Sequence, residues 1–466
     1  MTRAFAPLRV ANYRRFFNGQ LVSLTGTWIQ TVAELWLVLQ LTGSAVSLGL
    51  VSALQFAPML LVGPWAGILA DRLSKRRILI ACQLGMAVPA LSLFALTATG
   101  SVELWMVYAL VLVRGFGHAV DHPVRQSFVM EMVGPAQVAG AVSLNAALVS
   151  CARLAGPAVG GVIIALAGVA PCFALNTVSF AAVVWALRGM DAAALHEAQP
   201  VARARGQLRS GLRYVRGTPE LLVPLLAMAV VGTLAFNFRV LLPLMAEVDF
   251  DAGASVYGAL GAAMGAGAVA GALASSWRRD PGLGRLAGLT VAFGVLMGGV
   301  ALAPSVPVAI AVLVPLGAVS TAFAATVNSL LQLAVAPGMR GRVMALYSVV
   351  FLGSTPIGGP LAGWAAAHGG TRAAWLMGAA ATLATGAALV ALARGGWGQV
   401  LQSSIRPRGA VSDAGLQDLT PGGAPSASSS RRRPGSATAC PRRASARTPA
   451  VPARAAAAPP PRPRRS

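Results

Sequence analysis

Charged residues are scarce in this chain, and their scarcity excludes a soluble globular protein. Only 11% of the 466 residues are Asp, Glu, Lys or Arg, whereas 56% are hydrophobic. A soluble domain carries about 25% charged residues because it must cover a water-facing surface. The apolar residues form blocks of about 20, each long enough to cross a bilayer as a helix. The composition therefore predicts an all-α polytopic membrane protein.

Acidic residues are scarcer than basic ones, and the imbalance has a topological explanation. Fourteen acids face 37 Lys and Arg, which gives a net charge of +23. Twelve Arg and two Asp lie between residues 401 and 466, so this tail supplies +10 of that charge. Most other cations lie in short loops on one predicted side, as the positive-inside rule describes. We therefore expect a lipid bilayer as the partner of these cations, and no nucleic acid.

Cysteines and the common catalytic motifs are also few. The four cysteines (Cys82, Cys151, Cys172 and Cys440) match no zinc or CxxC spacing, so we expect no metal site and no cofactor. No phosphate-binding GxxxxGK[ST], HExxH or GxSxG motif occurs in a fitting context. The chain is therefore not expected to be an enzyme, and an ion gradient is the expected energy source.

Twelve membrane spans are predicted from the apolar blocks, and we expect no cleavable signal peptide before them. Basic loops alternate along the chain with loops that carry almost no cation, which predicts cytoplasmic termini in a bacterial-type inner membrane. The predicted spans are 16–41, 46–70, 78–98, 102–124, 137–167, 169–188, 220–246, 255–276, 285–303, 306–330, 341–367 and 372–394.

The spans divide into two halves that resemble a repeat with an offset near 200 residues. Gly67 corresponds to Gly271, each at the end of the second span of its half. "GPAVGG" in the fifth span corresponds to "STPIGGP" in the eleventh. We predict two pseudo-symmetric six-helix bundles, 1–188 and 220–396, joined by a cytoplasmic loop, 189–219. The tail, 397–466, is rich in Pro, Ser, Ala and Arg and is predicted to be disordered.

The hairpin "GILADRLSKRR" after the second span resembles the signature of the major facilitator superfamily. "RRFFNGQLVSLTGTWIQTVAELWLVLQLTGSAVSLGLV" and "ARLAGPAVGGVIIALAGVAPCFALNTVSFAA" resemble the drug- and siderophore-exporting branch that includes enterobactin exporters. "RGRVMALYSVVFLGSTPIGGPLAGW" in the second half is similar to the same branch. The resemblance covers about residues 10 to 395. It implies the twelve-helix major facilitator fold and a transport function, and it specifies no substrate.

The hairpin also predicts a cytoplasmic latch between the two halves. Asp71 is placed to cap the helix of the eleventh span and to pair with Arg340 or Arg342. Breaking that contact would open the inner side, whereas a purely topogenic loop would explain the cations alone. The predicted latch comprises Gly67, Asp71, Arg72, Lys75, Arg76, Arg125, Arg340 and Arg342.

A polar stripe follows one face of the first span, at helical spacing. Such a stripe must face protein or water because lipid cannot satisfy it, so either a cavity lining or interhelical hydrogen bonding explains it. Two deep arginines, Arg114 and Arg153, favour a cavity that tolerates anions, unless each satisfies backbone carbonyls. The predicted cavity residues are Gln20, Ser23, Thr27, Gln30, Glu34, Arg114, Asn145, Arg153 and Asn237.

Proton coupling and gating are assigned to five ionisable residues. Glu34 and Arg239 lie at equal depth in the first and seventh spans, which predicts an ion pair that closes the outer side. His118 is a candidate proton carrier because histidine titrates near neutral pH. Asp71 and Asp121 complete the set, with Asp121 and Arg125 expected in the cytoplasmic charge network. A static structural pair and a core histidine are the alternatives.

The fifth span contains "GPAVGG", which resembles the antiporter motif of the superfamily. Pro157 frees a backbone carbonyl, while Gly156, Gly160 and Gly161 permit close helix approach. Taken together, these patterns predict a monomeric secondary transporter that exports small drug-like or siderophore-like molecules by proton antiport through alternating access. An importer or uniporter on the same fold, or a non-transporting membrane sensor or scaffold, are the alternatives.

Overall fold

The computed structural model describes residues 3–196, 207–277 and 282–397, without the side chains at 3–4, 63–72, 207–209, 276–277, 337 and 396–397. Within these ranges the chain is helical and forms no strand. The predicted tail from 398 onward lies outside the described residues, as do residues 197–206 of the predicted central loop.

Six long helices form the first half of the molecule. A glycine with positive φ follows α1 at Gly43, which ends the helix and allows the tight turn into the next one. A short 3-10 helix at Arg3–Arg9 precedes them. The helices are α1 (Ala11–Thr42), α2 (Ala45–Arg72), α3 (Lys75–Ala98), α4 (Leu104–Val133), α5 (Val138–Ala167) and α6 (Ala170–Arg188).

The second half begins after a short basic helix, α7 (Gln207–Arg216), which lies within the predicted central loop. The predicted seventh span is interrupted at 235–237 and continues as a π-helix at Met245–Asp249. The remaining helices are α8 (Pro219–Leu234), α9 (Phe238–Leu244), α10 (Ala254–Trp277), α11 (Leu283–Ala301), α12 (Val306–Ala334) and α13 (Arg340–Leu392).

Eleven helical stretches of the described chain are long and apolar enough to cross a membrane. The last one, Arg340–Gly395, is broken at Gly370, where φ is 80° and ψ is 166°. That break divides α13 into two spans and brings the total in the described chain to twelve. Large apolar side chains point outward, including Leu166, Trp185 and Leu302, as expected for a surface in contact with lipid. The predicted all-α membrane fold is confirmed.

Two helix pairs join the halves: α2 with α13, and α5 with α10. Glycines line both seams, so the backbones approach closely. A Cβ on Gly49 would lie 2.5 Å from the carbonyl oxygen of Gly359, and one on Gly161 would lie 2.7 Å from Cα of Gly258. Small residues allow this packing in membranes, where apolar burial contributes little to helix association. The interface between the halves therefore excludes side chains at these points.

Candidate functional site

A buried ion pair occupies the interior of the first half. Arg114 of α4 donates from Nη2 to Glu34 Oε2 of α1, and the two side chains are 0% and 1% exposed. Gln30 donates from Nε2 to the other carboxylate oxygen, Oε1, at 2.7 Å. Charges in an apolar interior are costly unless they are paired and hydrogen-bonded, and Glu34 meets both conditions.

The hydrogen-bond chain continues from α1 into α6. Asn176 donates to Gln30 Oε1, and Ser179 donates to Asn176 Oδ1 at 2.7 Å. Gly26 makes this contact possible, because a Cβ there would lie 2.7 Å from both Asn176 Oδ1 and Ser179 Oγ. Glu34 is therefore tied to α4 and α6 through a continuous buried network.

The predicted ion pair between Glu34 and Arg239 is wrong in this structure. Equal depth along two helices says nothing about which way each side chain points around its helix axis. Arg114 shares a buried face of α4 with Val107 and Val111, and that face packs inside the first half. Glu34 therefore finds its cation within its own half, and Arg114 is a buried partner rather than a cavity-lining residue.

Arg239 contacts the first half by another route. It lies at the start of α9, just after the interruption of the seventh span, and donates from Nη1 to Gln55 Oε1 of α2 at 3.0 Å. Its guanidinium carbon lies 5.1 Å from the ring centroid of Trp28 and 5.0 Å from that of Phe56. Such cation–π contacts are favourable, and here they link the two halves.

Arg153 of α5 meets the same tryptophan. Its guanidinium carbon lies 5.6 Å from the Trp28 ring centroid, while the residue as a whole is exposed. Among the described residues, none forms a hydrogen bond or an ion pair with its guanidinium. Because Trp28 of α1 contacts both arginines, we define Arg153, Trp28 and Arg239 as the arginine–tryptophan cluster. This cluster lies where the two halves face each other.

A second polar network lies nearer the start of α1. Arg125 donates from Nη1 to Gln20 Oε1 at 2.8 Å and pairs with Asp121 at 3.5 Å. Gln83 of α3 donates to Asp121 Oδ1 at 2.9 Å. Asp121 and Arg125 thus connect α1, α3 and α4 of the first half. Their predicted contact with Asp71 involves a side chain outside the described set and stays a prediction.

His118 is half-buried on α4, and its Nε2 is buried without a hydrogen-bond partner in the described part of the chain. Both carboxylate oxygens of Glu34 are occupied by Gln30 and Arg114. No direct hydrogen bond joins His118 to Glu34 in the ranges described. The predicted proton relay would need a rearrangement or intervening water.

The predicted cavity residues divide into buried and accessible sets. Gln20, Ser23, Gln30 and Asn237 are 5% exposed or less, and Asn237 donates to the Thr233 carbonyl oxygen at 2.8 Å. Gln20, Gln30 and Glu34 of the stripe on α1 make interhelical hydrogen bonds, as the alternative to a cavity lining expects. The cavity role of the stripe stays a prediction. The half-buried or exposed members are Thr27, Asn145 and Arg153.

The basic residues of the predicted latch have several different partners. Lys75 pairs with Glu131, and Arg76 donates to the carbonyl oxygens of Leu187 and Arg188 at 2.7 Å. Arg342 donates to Met339 Sδ at 3.3 Å, while Arg340 is exposed. The side chains of Asp71 and Arg72, and the surroundings of Gly67, lie outside the described set. The Asp71 latch therefore stays a prediction.

The "GPAVGG" segment lies where α5 meets its neighbours. A Cβ on Gly156 would lie 2.3 Å from Trp28 Cβ, and one on Gly160 would lie 3.4 Å from Ile29 Cα. A Cβ on Gly261 of α10 would lie 2.8 Å from Pro157 Cβ. The segment thus packs α5 simultaneously against α1 and against the second half. Its role in antiport stays a prediction.

Sequence reasoning missed the residues that surround the arginines. These residues are Trp28, Gln55, Phe56 and Asn176, and all four lie in apolar segments. Gln55 gave a usable signal, because a lone amide in an apolar span needs a partner. Trp28 gave a weaker signal, since it follows Thr27 on the polar side of α1.

Comparison with known proteins places the chain in a described family. A family model for transmembrane secretion effectors of the MFS type matches residues 2–405. The multidrug efflux pump Tap of Mycolicibacterium fortuitum is 26% identical over 360 residues, covering 74% of this chain and 87% of that protein.

Two other relatives match over shorter lengths. The uncharacterized MFS-type transporter YfiS of Bacillus subtilis is 28% identical over 217 residues, 46% of this chain and 51% of that protein. The staphyloferrin A transporter of Staphylococcus aureus is 30% identical over 152 residues, 32% of this chain and 38% of that protein. The chain thus matches about half or less of the length of these two relatives.

Solved structures share the fold at low sequence identity. A bacterial homologue of the iron transporter ferroportin, in an inward-facing state, aligns with a TM-score of 0.64 at 14% identity, covering 82% of this chain and 98% of that one. A bacterial homologue of the lysosomal transporter Spinster, inward-facing and unoccupied, aligns with a TM-score of 0.63 at 15% identity, covering 86% and 98%. These likenesses show the fold alone.

Proposed function

Because the chain belongs to the transmembrane secretion effector family of the major facilitator superfamily, we propose that it exports a small organic molecule in exchange for protons. It is a multi-pass membrane transporter and not an enzyme. Export is supported by the relative described as a multidrug efflux pump. An inner-membrane location with both termini in the cytoplasm follows from the alternation of basic loops.

The observation that carries proton coupling is the buried Glu34–Arg114 pair. A carboxylate that is 1% exposed inside an apolar helix persists only for a strong structural or functional reason. Protonation of Glu34 would remove the negative charge that holds Arg114. The Nε and Nη1 atoms of Arg114 already lack partners in the described part of the chain, so no other acceptor there would replace Glu34. Proton binding would thus loosen α1 from α4.

Alternating access would convert this local change into transport. The described contacts between the halves involve the early part of α2, the late part of α5 and the early part of α10. These parts share the end of the bundle at which α1 turns into α2. With cytoplasmic termini, that end faces outward, so the described state would be closed outside and open inside. Substrate would enter from the cytoplasm in this state.

The Asp71 latch belongs to the opposite state in this mechanism. When the inner side closes, Asp71 would meet Arg340 or Arg342 at the start of α13 and hold the halves together. Asp71→Asn keeps the size of the side chain but removes its charge. We expect this variant to lose most of its transport while remaining in the membrane, because only the contact between the halves is weakened.

The proposal is tested by efflux in cells that lack their own drug pumps. Rhodamine 6G, ethidium and esterase-released carboxyfluorescein are the probes, with and without a protonophore. We expect wild-type cells to extrude at least one probe, and the protonophore or Glu34→Gln to abolish its extrusion. The control variant is Arg14→Gln, an exposed cation at the start of α1.

The alternatives give different outcomes in the same assay. Faster accumulation in cells with the protein than without it would indicate import. Extrusion that survives both the protonophore and Glu34→Gln would disprove proton coupling through this carboxylate. A correctly inserted protein that changes the level of no probe would count against broad export and favour a sensor or scaffold.

A further inference from the structure

We propose that the arginine–tryptophan cluster binds the substrate by an anionic group, so that the transported molecule is an organic anion carrying a carboxylate. This inference rests on the proposed export function and names the class of its substrate. The site would take its positive charge from Arg153 of α5 and Arg239 of α9, one arginine from each half of the molecule. Closing around an anion would therefore draw the two halves together.

The interior near Trp28 contains more arginines than carboxylates. Arg239 lies close enough to Arg114, Arg153 and Glu34 to interact with each of them electrostatically. Glu34 is the carboxylate of this set, and its oxygens are already taken by Arg114 and Gln30. Asp121 pairs with Arg125 in the separate network. Among the described residues, no carboxylate therefore forms an ion pair with Arg153 or Arg239.

Arg153 and Arg239 have N–H donors that no described residue uses. A guanidinium offers five N–H groups, yet Arg153 makes no hydrogen bond or ion pair within the described ranges. Arg239 makes a single hydrogen bond there, to the neutral Gln55. Arg153 is exposed and Arg239 is half-buried, so the described protein atoms enclose neither side chain completely. Each guanidinium group lies against the same indole and keeps donors that suit a bidentate contact with a carboxylate.

The surroundings favour an organic anion over a cation. Trp28 already lies against both guanidinium groups, so its ring is not free for a cationic ligand. A cation would also face the unneutralised positive charge of Arg153 and Arg239. Trp28 and Phe56 supply apolar surface beside the charges, which suits a molecule with an aromatic or apolar body. The expected ligand thus joins a carboxylate to an apolar ring system.

Carboxyfluorescein and rhodamine 6G test this directly, because they share a xanthene ring and carry opposite charge. The purified full-length chain in detergent is titrated into each dye, and fluorescence anisotropy reports binding. We expect carboxyfluorescein to bind and rhodamine 6G to bind at least 10-fold more weakly. Arg153→Gln and Arg239→Gln should each weaken carboxyfluorescein binding about 10- to 100-fold, since each removes a charge-assisted contact.

The controls separate a specific site from general attraction to a basic protein. Arg153→Lys keeps the charge and should lose less affinity than Arg153→Gln. Arg14→Gln removes an exposed cation at the start of α1, far from Trp28, and should leave the affinity for carboxyfluorescein unchanged. The proposal is overturned if carboxyfluorescein fails to bind, if rhodamine 6G binds more tightly, or if Arg14→Gln weakens binding as much as Arg153→Gln.

Transport in everted membrane vesicles distinguishes this inference from the proposed function. Carboxyfluorescein that binds through Arg153 but is not pumped would leave the anion site standing and contradict export of this anion. Pumping of rhodamine 6G, with no binding of carboxyfluorescein, would leave export standing and overturn the anion site. Proton-driven uptake of carboxyfluorescein into the vesicles that is lost in Arg153→Gln would support both.

Discussion

Glu34 and Arg114 are the residues whose chemistry most constrains the interior. A buried ion pair is worth little compared with an apolar pair of the same shape, because both charges must be desolvated. Removing one partner is different, since it leaves the other charge buried and alone. A single substitution in the pair is therefore strongly destabilising, although the intact pair contributes little net stability.

This asymmetry predicts the outcome of a double-mutant cycle. Glu34→Gln or Arg114→Gln alone should destabilise the protein by about 3–5 kcal/mol, because one charge is left unpaired. Glu34→Gln combined with Arg114→Gln should recover a large part of that loss. Thermal unfolding of the purified variants in detergent measures the effect, with Arg14→Gln as the control. Additive losses in the double variant would show that the two side chains do not act as a pair.

The depth of Glu34 could be predicted from the sequence, but its partner could not. Position along a span gives depth, so Glu34 was recognised as an ionisable group inside the bilayer. The direction of a side chain around its helix depends on which neighbour packs there, and span order does not specify this. Arg239 at similar depth is therefore the wrong partner in this structure, and Arg114, three helices along the chain, is the partner found.

At the scale of elements, the seam between α5 and α10 depends on the absence of side chains. Pro157, Gly161 and Leu154 of α5 face Gly258, Gly261 and Gly265 of α10. The sequence predicted close packing at "GPAVGG" but could not identify the facing helix, since glycines occur in most of the spans. A repeat offset pairs equivalent positions of the two halves, and equivalent positions need not be in contact.

Gly161→Ala tests whether this seam needs its close approach. The new Cβ would lie 2.7 Å from both Cα of Gly258 and the Ala254 carbonyl oxygen, so the backbones must move apart. We expect a loss of about 1–3 kcal/mol in thermal stability in detergent, in the range of other overpacked sites. Gly288→Ala on α11 is the matched control, because a Cβ there meets nothing within 4 Å. Equal effects of the two changes would argue against a tight seam.

At the scale of the molecule, two kinds of contact hold the halves together at one end. Backbones meet through glycines at the α2–α13 and α5–α10 seams, while side chains meet at Arg239–Gln55 and at the stacked pair Trp36–Tyr257. Polar and aromatic contacts of this kind can be broken at modest cost, in contrast to the buried networks inside the first half. Because the contacts between the halves are easier to break than those inside the first half, we predict that the halves move as rigid units.

Engineered disulfides test rigid-body motion in a background without the native cysteines. A Cβ on Gly359 would lie 3.3 Å from Ser52 Cβ and 2.9 Å from the Gly49 carbonyl oxygen. Ser52→Cys with Gly359→Cys should therefore form a bond between the halves once the seam widens by a few tenths of an ångström. A Cβ on Gly19 would lie 3.1 Å from Ala186 Cβ, so Gly19→Cys with Ala186→Cys should bond α1 to α6 within one half after a shift of a few tenths of an ångström. Efflux is measured after oxidation and again after reduction.

The two pairs should behave differently if the halves rock about a central site. The bond between residues 52 and 359 would hold the described end shut, so oxidation should stop efflux and reduction should restore it. The bond between residues 19 and 186 stays within one rigid unit and should leave efflux largely intact. Equal inhibition by both would mean that α1 must move against α6 during transport. Transport would then require rearrangement inside the first half, where Glu34 links α1 to α4 and α6.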